Sequence, residues 1–269
     1  VLAASAAAAF AVLAYTALTV PNVRILTRRN PDTTAFMELR RQEAAAANRR
    51  LRHVHRWVPY SRISPHLTRA VLVAEDDAFF QHDGIDLVQI RRTIETDLAR
   101  GGAMRGASTI TQQLAKNLYL SPSRNPLRKL KELFIARRLE VELTKPRILE
   151  IYLNVIEWGD GVWGADAAAR TYFGIGASGL TRDQAGLLAA AIRNPRGSNP
   201  ARPSARLAQR QQMILARIGG VEPPAAGPVT AAAVEPTPVA PASTGSAGEA
   251  DEVEPAPAEK RADPSSDLP

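Results

Sequence analysis

Residues 67–84 read Leu67-Thr68-Arg69-Ala70-Val71-Leu72-Val73-Ala74-Glu75-Asp76-Asp77-Ala78-Phe79-Phe80-Gln81-His82-Asp83-Gly84, and their spacing decides the fold class. Leu67, Ala70, Val71, Ala74 and Ala78 fall at i, i+3, i+4, i+7 and i+11, one apolar stripe along an α-helix. Three acids follow the helical run, and a Gly turn ends the stretch. Glu75 stands one residue past Ala74, at the border between core and solvent. A carboxylate partly withdrawn from water keeps its proton to higher pH, which suits a general base. Solvated acids at a helix end are the plainer reading of the same residues, and nothing local separates Glu75 from Asp76 or Asp77.

Working outward, the period stays helical. Thr109-Ile110-Thr111-Gln112 has capping-box spacing, with Ile110, Leu114 and Leu118 as the buried stripe behind it. Leu127–Leu143 is apolar on more than one face, as an interior helix is. Asp183–Ile192 and Ser204–Ile218 complete the set, the last stopped by Gly219. No alternating run exceeds five residues and no internal repeat is visible. The expected fold is mainly α, with a compact helical domain over residues 57–220, opening at Trp57-Val58-Pro59.

The chain has 269 residues, ample for a buried core, and no cysteine, which excludes a disulfide scaffold, Cys-ligated metal sites and a thiol nucleophile. Its net charge of +7 is unevenly spread. Residues 221–269 hold nine acids, two bases, ten of the twenty prolines and no aromatic residue, so they carry −7 and residues 1–220 carry +14. Such a tail cannot bury enough apolar surface to offset its ordering entropy and is expected to be disordered. The basic body points to a polyanionic partner: nucleic acid, an anionic membrane surface or a phosphorylated substrate.

Residues 1–20 contain no charge and nine alanines. Twenty helical residues at about 1.5 Å each just span a ~30 Å hydrocarbon core, so residues 1–23 are expected to form a transmembrane anchor. A cleaved signal and a buried Ala-rich helix are the alternatives. Arg24, Arg28 and Arg29 follow the stretch, against the positive-inside rule for an exported domain. Residues 24–56 carry nine Arg and three acids around a helical run, Met37–Arg52. This basic juxtamembrane segment reads either as a solvated helix or as a lipid-contacting one.

Two further places carry chemistry. Gly101-Gly102-Ala103-Met104-Arg105-Gly106-Ala107-Ser108 enters the capped helix, and a Gly-rich loop at a helix N-terminus offers backbone N–H groups to an anion. It matches neither a Walker A loop nor a dinucleotide fingerprint, and alone it is as readily a loop before a helix. Gln112 and Lys116 share one face there, with Gln113 and Asn117 alongside. Arg128 and Lys129 lie four and three residues before Glu132, so all three gather on one helix side, as a surface ion-pair ladder or as a buried phosphate-binding cluster. His53-x-His55 would put two imidazoles on one side of a strand, without the third ligand a zinc site needs. No Ser-Lys transpeptidase signature is present.

Taken together, these segments resemble the peptidoglycan glycosyltransferase (biosynthetic transglycosylase) family across roughly residues 57–200. The resemblance is carried by Glu75-Asp76-x-x-Phe79-x-x-His82-x-Gly84, by Gly106-x-Ser108-Thr109-Ile110-Thr111-Gln112-Gln113-Leu114-x-Lys116-Asn117, and by Arg128-Lys129-x-x-Glu132 with Leu139-Glu140 beyond. Arg147–Asn154 and Trp158-Gly159-Asp160-Gly161 follow in order, ahead of Tyr172-Phe173-Gly174. With no transpeptidase motifs downstream, the chain is similar to the monofunctional branch. Two positions depart from the pattern: Ala107 stands where a second Gly is usual, and Arg193 where Pro is usual.

The resemblance implies a lysozyme-like helical head with a smaller membrane-facing lobe, at the inner membrane with its catalytic domain in the periplasm. It implies polymerisation of lipid II into β-1,4 glycan strands, with inversion at MurNAc C1 and release of undecaprenyl pyrophosphate. Carried over residue by residue, Glu75 is the general base and Glu132 the second catalytic residue. Lys116, Arg128 and Lys129 bind the pyrophosphate, and Glu132 orients them or helps hold an optional divalent cation, Mg or Mn. Asp76, Phe79, His82, Gly84, Ser108, Thr109, Gln112, Gln113 and Asn117 line the substrate cleft. The partners implied are lipid II, the growing glycan chain, membrane lipid and other cell-wall synthesis proteins. Nucleic acid is not among them, since no helix-turn-helix or aromatic platform is recognisable. A lytic transglycosylase or muramidase, and an anchored binding protein without activity, are the competing functions.

Overall fold

The computed structural model describes residues 2–100, 108–123 and 125–218. The Gly-rich loop from Gly101 to Ala107, the Gly219 stop and the acidic tail over 221–269 lie outside the described residues.

The described chain is mainly helical, as the periodicity requires. In order it forms α1 (Leu2–Leu18), α2 (Ala35–Ala46), α3 (Pro65–Glu75), α4 (Leu87–Arg100), α5 (Ile110–Tyr119), α6 (Pro126–Glu142), α7 (Lys145–Val155), α8 (Ala165–Phe173), α9 (Arg182–Ala191) and α10 (Ala205–Arg217). Three strands of two or three residues, β1 (Val54–His55), β2 (Glu157–Gly159) and β3 (Val162–Trp163), form a small sheet in the order β1-β3-β2. β1 runs parallel to β3 and β2 antiparallel to it. Gly161 turns the β2–β3 hairpin at φ +68°, where a Cβ would lie 2.1 Å from the Arg52 carbonyl oxygen, so only glycine fits.

Local chemistry fixes the helix starts. Ser64, Thr109, Asn125, Thr144, Thr181 and Ser204 each accept a backbone N–H of the turn they open, and Pro65, Pro126 and Pro146 occupy first-turn positions where a missing N–H costs nothing. The full capping box is at Thr181 and Gln184, not at Thr109. Thr109 does accept the Gln112 N–H at 3.2 Å, but the Gln112 side chain turns away to donate to the Gly84 carbonyl at 3.1 Å. Tertiary demand outcompetes the local box.

The core is built around α7, whose residues Ile148–Val155 are all buried, with Phe79, Trp158 and Trp163 fully enclosed beside Leu67, Leu114 and Leu139. Each such aliphatic side chain contributes about 1.5–3 kcal/mol by leaving water. The core also reaches back past residue 57: Val23, Leu26 and Met37 are buried. α2 packs on α5 rather than lying free, and Arg40 pairs with the buried Glu157 at 3.0 Å. The α2 run is shorter than expected, ending at Ala46 before Asn48 adopts φ +47°.

The uncharged N-terminal stretch is helical over Leu2–Leu18. α1 has 17 residues, about 25 Å at 1.5 Å per residue, and stops before Pro21. Among the described residues no helix is long and apolar enough to cross a membrane.

Candidate active site

α3 ends where the chemistry begins. The apolar stripe would carry the helix on to Ala78, but Asp76 breaks out of it at φ −168° and turns its carboxylate inward. Its Oδ2 accepts the backbone N–H of Ile110 at 2.9 Å, and its Oδ1 accepts from His82 Nε2 at 2.9 Å. His82 Nδ1 accepts the Gly84 N–H at 3.1 Å, which places its proton on Nε2 and makes it the donor to Asp76. Gly84, at φ +84°, returns its carbonyl to Thr109 Oγ1 at 2.7 Å and to Gln112 Nε2. A buried polar clamp thus locks the end of α3 onto the start of α5.

The clamp separates the three acids that looked alike. Asp76 is buried and structural, while Asp77 is exposed and pairs with Arg217 at 2.7 Å. Glu75 lies between these extremes, largely withdrawn from water, beneath α5 and α10. Its Oε2 accepts from Gln113 Nε2 at 2.9 Å, and its Oε1 lies 3.6 Å from Arg210 Nη2. Gln113 is fixed in turn, its Oε1 accepting from the hydroxyl of fully buried Tyr152 at 2.9 Å. Burial pushes the Glu75 carboxyl above its ordinary range, and Gln113, Arg210, Arg193 and Lys116 pull it back. Burial also raises the Tyr152 phenol well above 10, so Tyr152 stays a neutral donor.

On the other flank of α5, Glu132 is buried and holds two cations, Arg128 Nη1 at 2.5 Å and Lys129 Nζ at 2.5 Å. Lys129 Nζ also reaches Gln112 Oε1 at 2.8 Å and Ser108 Oγ at 3.1 Å. Of this trio only Glu132 is buried, while Arg128 and Lys129 are half-buried, so the run is an ion-pair cluster around a buried acid. Lys116 lies between the flanks: burial lowers its pKa, Glu132 and Glu75 raise it, and Arg128 and Lys129 lower it. Arg137 and Arg138 face away, pairing with Asp83 and Glu142.

The sequence-derived residues therefore sort by position. Glu75, Gln113, Lys116, Ser108, Gln112, Arg128, Lys129 and Glu132 converge around α5. Asp76, His82, Gly84 and Thr109 form the clamp beneath them, with Phe79 in the core under the Lys145 ammonium at 4.3 Å. Asn117 Nδ2 turns back to the Gln113 carbonyl at 2.8 Å. His55 Nε2 donates to the Asn154 carbonyl at 3.0 Å and anchors β1. The sequence reading missed Tyr152 and Arg210 as site residues. Tyr152 lay inside a quoted motif, whereas Arg210 belongs to an amphipathic helix with no local mark of function.

A family model described as transglycosylase matches residues 38–219, well over half of the chain. The chain belongs to the transglycosylase family. A biosynthetic peptidoglycan transglycosylase of Nitrosospira multiformis is 47% identical over 195 residues, covering 72% of this chain and 85% of the relative. Proteins of the same name from Aromatoleum aromaticum and Thiobacillus denitrificans are 51% identical over 167 residues and 49% identical over 193. These two alignments cover 62% and 71% of this chain, and 73% and 82% of the relatives. The transglycosylase match begins inside α2 and ends just beyond α10, so it takes in both the clamp and Arg210.

Proposed function

We propose that the chain is a peptidoglycan glycosyltransferase that polymerises lipid II. The observation that supports this most is the layout around α5: Gln113 Nε2 holds the Glu75 carboxylate at 2.9 Å on one flank, Arg128 and Lys129 meet Glu132 on the other, and Lys116 stands on α5 itself. An inverting transfer needs this layout, with a base at the attacking hydroxyl and positive charge at the departing group. Glu75 takes the proton of the GlcNAc 4-OH as that oxygen bonds to MurNAc C1. The C1–O bond to phosphate breaks, and the electron pair leaves on the pyrophosphate. Lys116, Arg128 and Lys129 stabilise the charge that gathers there, where a preorganised donor contributes about 10²–10³ in rate.

The optional divalent cation does not fit this cluster well. Glu132 supplies one carboxylate, and both its oxygens already hold cations, so no step is routed through a metal. A lytic enzyme, whose leaving group is a sugar hydroxyl, has no use for three cations around a buried acid.

This proposal includes the lysozyme-like organisation and the absence of transpeptidase activity. It also places the chain at the periplasmic face of the membrane that carries its lipid-linked substrate, with α1 meeting lipid, and leaves room for cell-wall synthesis partners. Incubating the full chain with purified lipid II tests it. Elongated β-1,4 glycan strands are the expected product, and cleavage of preformed strands without elongation would overturn the proposal.

A further inference from the structure

Phe36 stands in the first turn of α2, outside every motif that marked the site in the sequence, yet its ring meets the lysine on α5. The Lys116 ammonium lies 5.8 Å from the Phe36 ring centroid. That is inside the ~6 Å within which the negative face of an aromatic ring attracts a cation. The chain on both sides of Phe36 is anchored. Thr34 caps α2 by accepting the Met37 N–H at 3.1 Å, and Met37 is buried. One turn on, Arg40 pairs with Glu157 of β2 at 3.0 Å and with Glu43 at 2.9 Å, while α2 packs along α5. Arg196, in the loop beyond α9, reaches Glu43 at 3.5 Å. The half-buried ring is therefore held against a half-buried lysine.

We propose that Phe36 is a positioning residue for Lys116: its ring holds the ammonium in place on α5 without cancelling any of the charge that meets the leaving pyrophosphate. The proposal rests on the glycosyltransferase reading above and deepens it by giving α2 a part in the chemistry. An aromatic partner has a physical advantage here. A carboxylate would offset the lysine charge, as Glu132 does for Arg128 and Lys129, whereas a ring face carries no net charge. The two acids whose charge Lys116 feels are already engaged: Glu75 accepts from Gln113, and Glu132 holds its two cations. From α7, which also packs on α5, the Tyr152 hydroxyl goes to Gln113. Burial, together with the charges of Arg128 and Lys129, presses Lys116 toward its neutral form. The ring works against them, because it attracts the ammonium and not the amine.

Titration of Lys116 by NMR tests this without requiring turnover. The full chain is made with isotope-labelled lysine, and the Lys116 Cε signal is picked out of the five lysines by its loss in Lys116→Arg. Two changes at position 36 are compared. Phe36→Leu removes the ring but keeps the place apolar. A trifluorinated phenylalanine at position 36 keeps the shape of the ring while its fluorines draw negative charge from the face. In both, Lys116 should titrate at lower pH than in the wild type, because the ammonium has lost its attraction. On the basic limb of the lipid II polymerisation profile, kcat should then fall about two- to fivefold in both, with the acidic limb in place. A shift with leucine but not with the fluorinated ring would give Phe36 a packing role and overturn the proposal. An unmoved Lys116 titration in both, or a moved titration with an unchanged basic limb, would overturn it as well. Polymerisation by the wild type is measured separately. A Lys116 shift in both variants of a chain that does not polymerise lipid II would sink the glycosyltransferase reading and leave the hold of Phe36 on Lys116 standing.

Discussion

Gln113 donates from Nε2 to Glu75 Oε2 across 2.9 Å, joining the second turn of α5 to the last residue of α3. The donor favours the ionised carboxylate, against burial, which favours the protonated one. As a base Glu75 works only when ionised, so the rate falls as pH drops through its raised pKa. Gln113→Leu removes a group that lowers that pKa, and the acidic limb of the kcat profile should move to higher pH. Tyr152→Phe keeps Gln113 but frees its amide to turn, and should cost about fivefold in kcat, the worth of one neutral hydrogen bond. Steady-state polymerisation across pH reads both effects.

Glu75→Gln should abolish polymerisation and also stabilise the fold at neutral pH. The sign follows from the direction of the shift. The folded pKa lies above the unfolded value of about 4.3, so the folded protein holds this proton more tightly. Stability is fully present below the unfolded value and is lost as pH rises through the folded one. A glutamine never ionises, so the Tm of the variant should exceed that of the wild type at pH 7, with the gap closing as pH approaches 4. Thermal melts at both pH values check this. A Glu75→Gln variant less stable than wild type at pH 7 would mean that the surrounding cations outweigh burial.

Much of this arrangement was legible in the sequence, for stated physical reasons. Period 3.6 gave the stripe from Leu67 to Ala74, and three- and four-residue spacing put Arg128, Lys129 and Glu132 on one side of α6. Ala78 was misplaced because the pull ending α3 at Glu75 comes from the Ile110 N–H, 34 residues away. Distance also hid Arg210, which meets Glu75 across 135 positions of chain. Of the expected span, Leu2–Leu18 forms a helix: an uncharged run shows where charge is absent, and the helix stops short of Pro21.

The clamp should matter for folding more than for chemistry. Asp76 accepts two hydrogen bonds in the interior. Asparagine can satisfy only one of those donors with its carbonyl oxygen and turns an N–H against the other, so Asp76→Asn should cost about 3 kcal/mol. For a chain of this size that lowers Tm by about 6–12 °C. Asp77→Asn, which loses only an exposed pair with Arg217, should stay within about 1 kcal/mol. Similar losses from the two variants would mean that the carboxylate of Asp76 is not buried in solution.

Arg210 faces Glu75 from α10 with its Nε buried and unpartnered among the described residues. Its charge pulls the Glu75 pKa down, so Arg210→Met should move the acidic limb upward while kcat recovers at high pH. Arg210→Lys, which keeps the charge, should restore most of the profile. A loss that is uniform across pH, and not rescued by lysine, would give Arg210 a packing role instead.

Glu132 poses the sharpest test of the leaving-group side, because it is the acid among the cations. Its two oxygens hold Arg128 and Lys129, so it orients both and also cancels one unit of the charge meant for pyrophosphate. Those roles pull a substitution in opposite directions. Glu132→Gln removes the cancelling charge, so inorganic pyrophosphate should bind about three- to tenfold more tightly. It also releases the two cations from their fixed geometry, so kcat should fall by about 10²-fold, since stabilisation of the transition state depends on preorganisation. Calorimetric titration with pyrophosphate and lipid II turnover measure the two separately. Weaker binding together with lower kcat would show that orientation governs both steps. Unchanged turnover would remove Glu132 from the catalytic set.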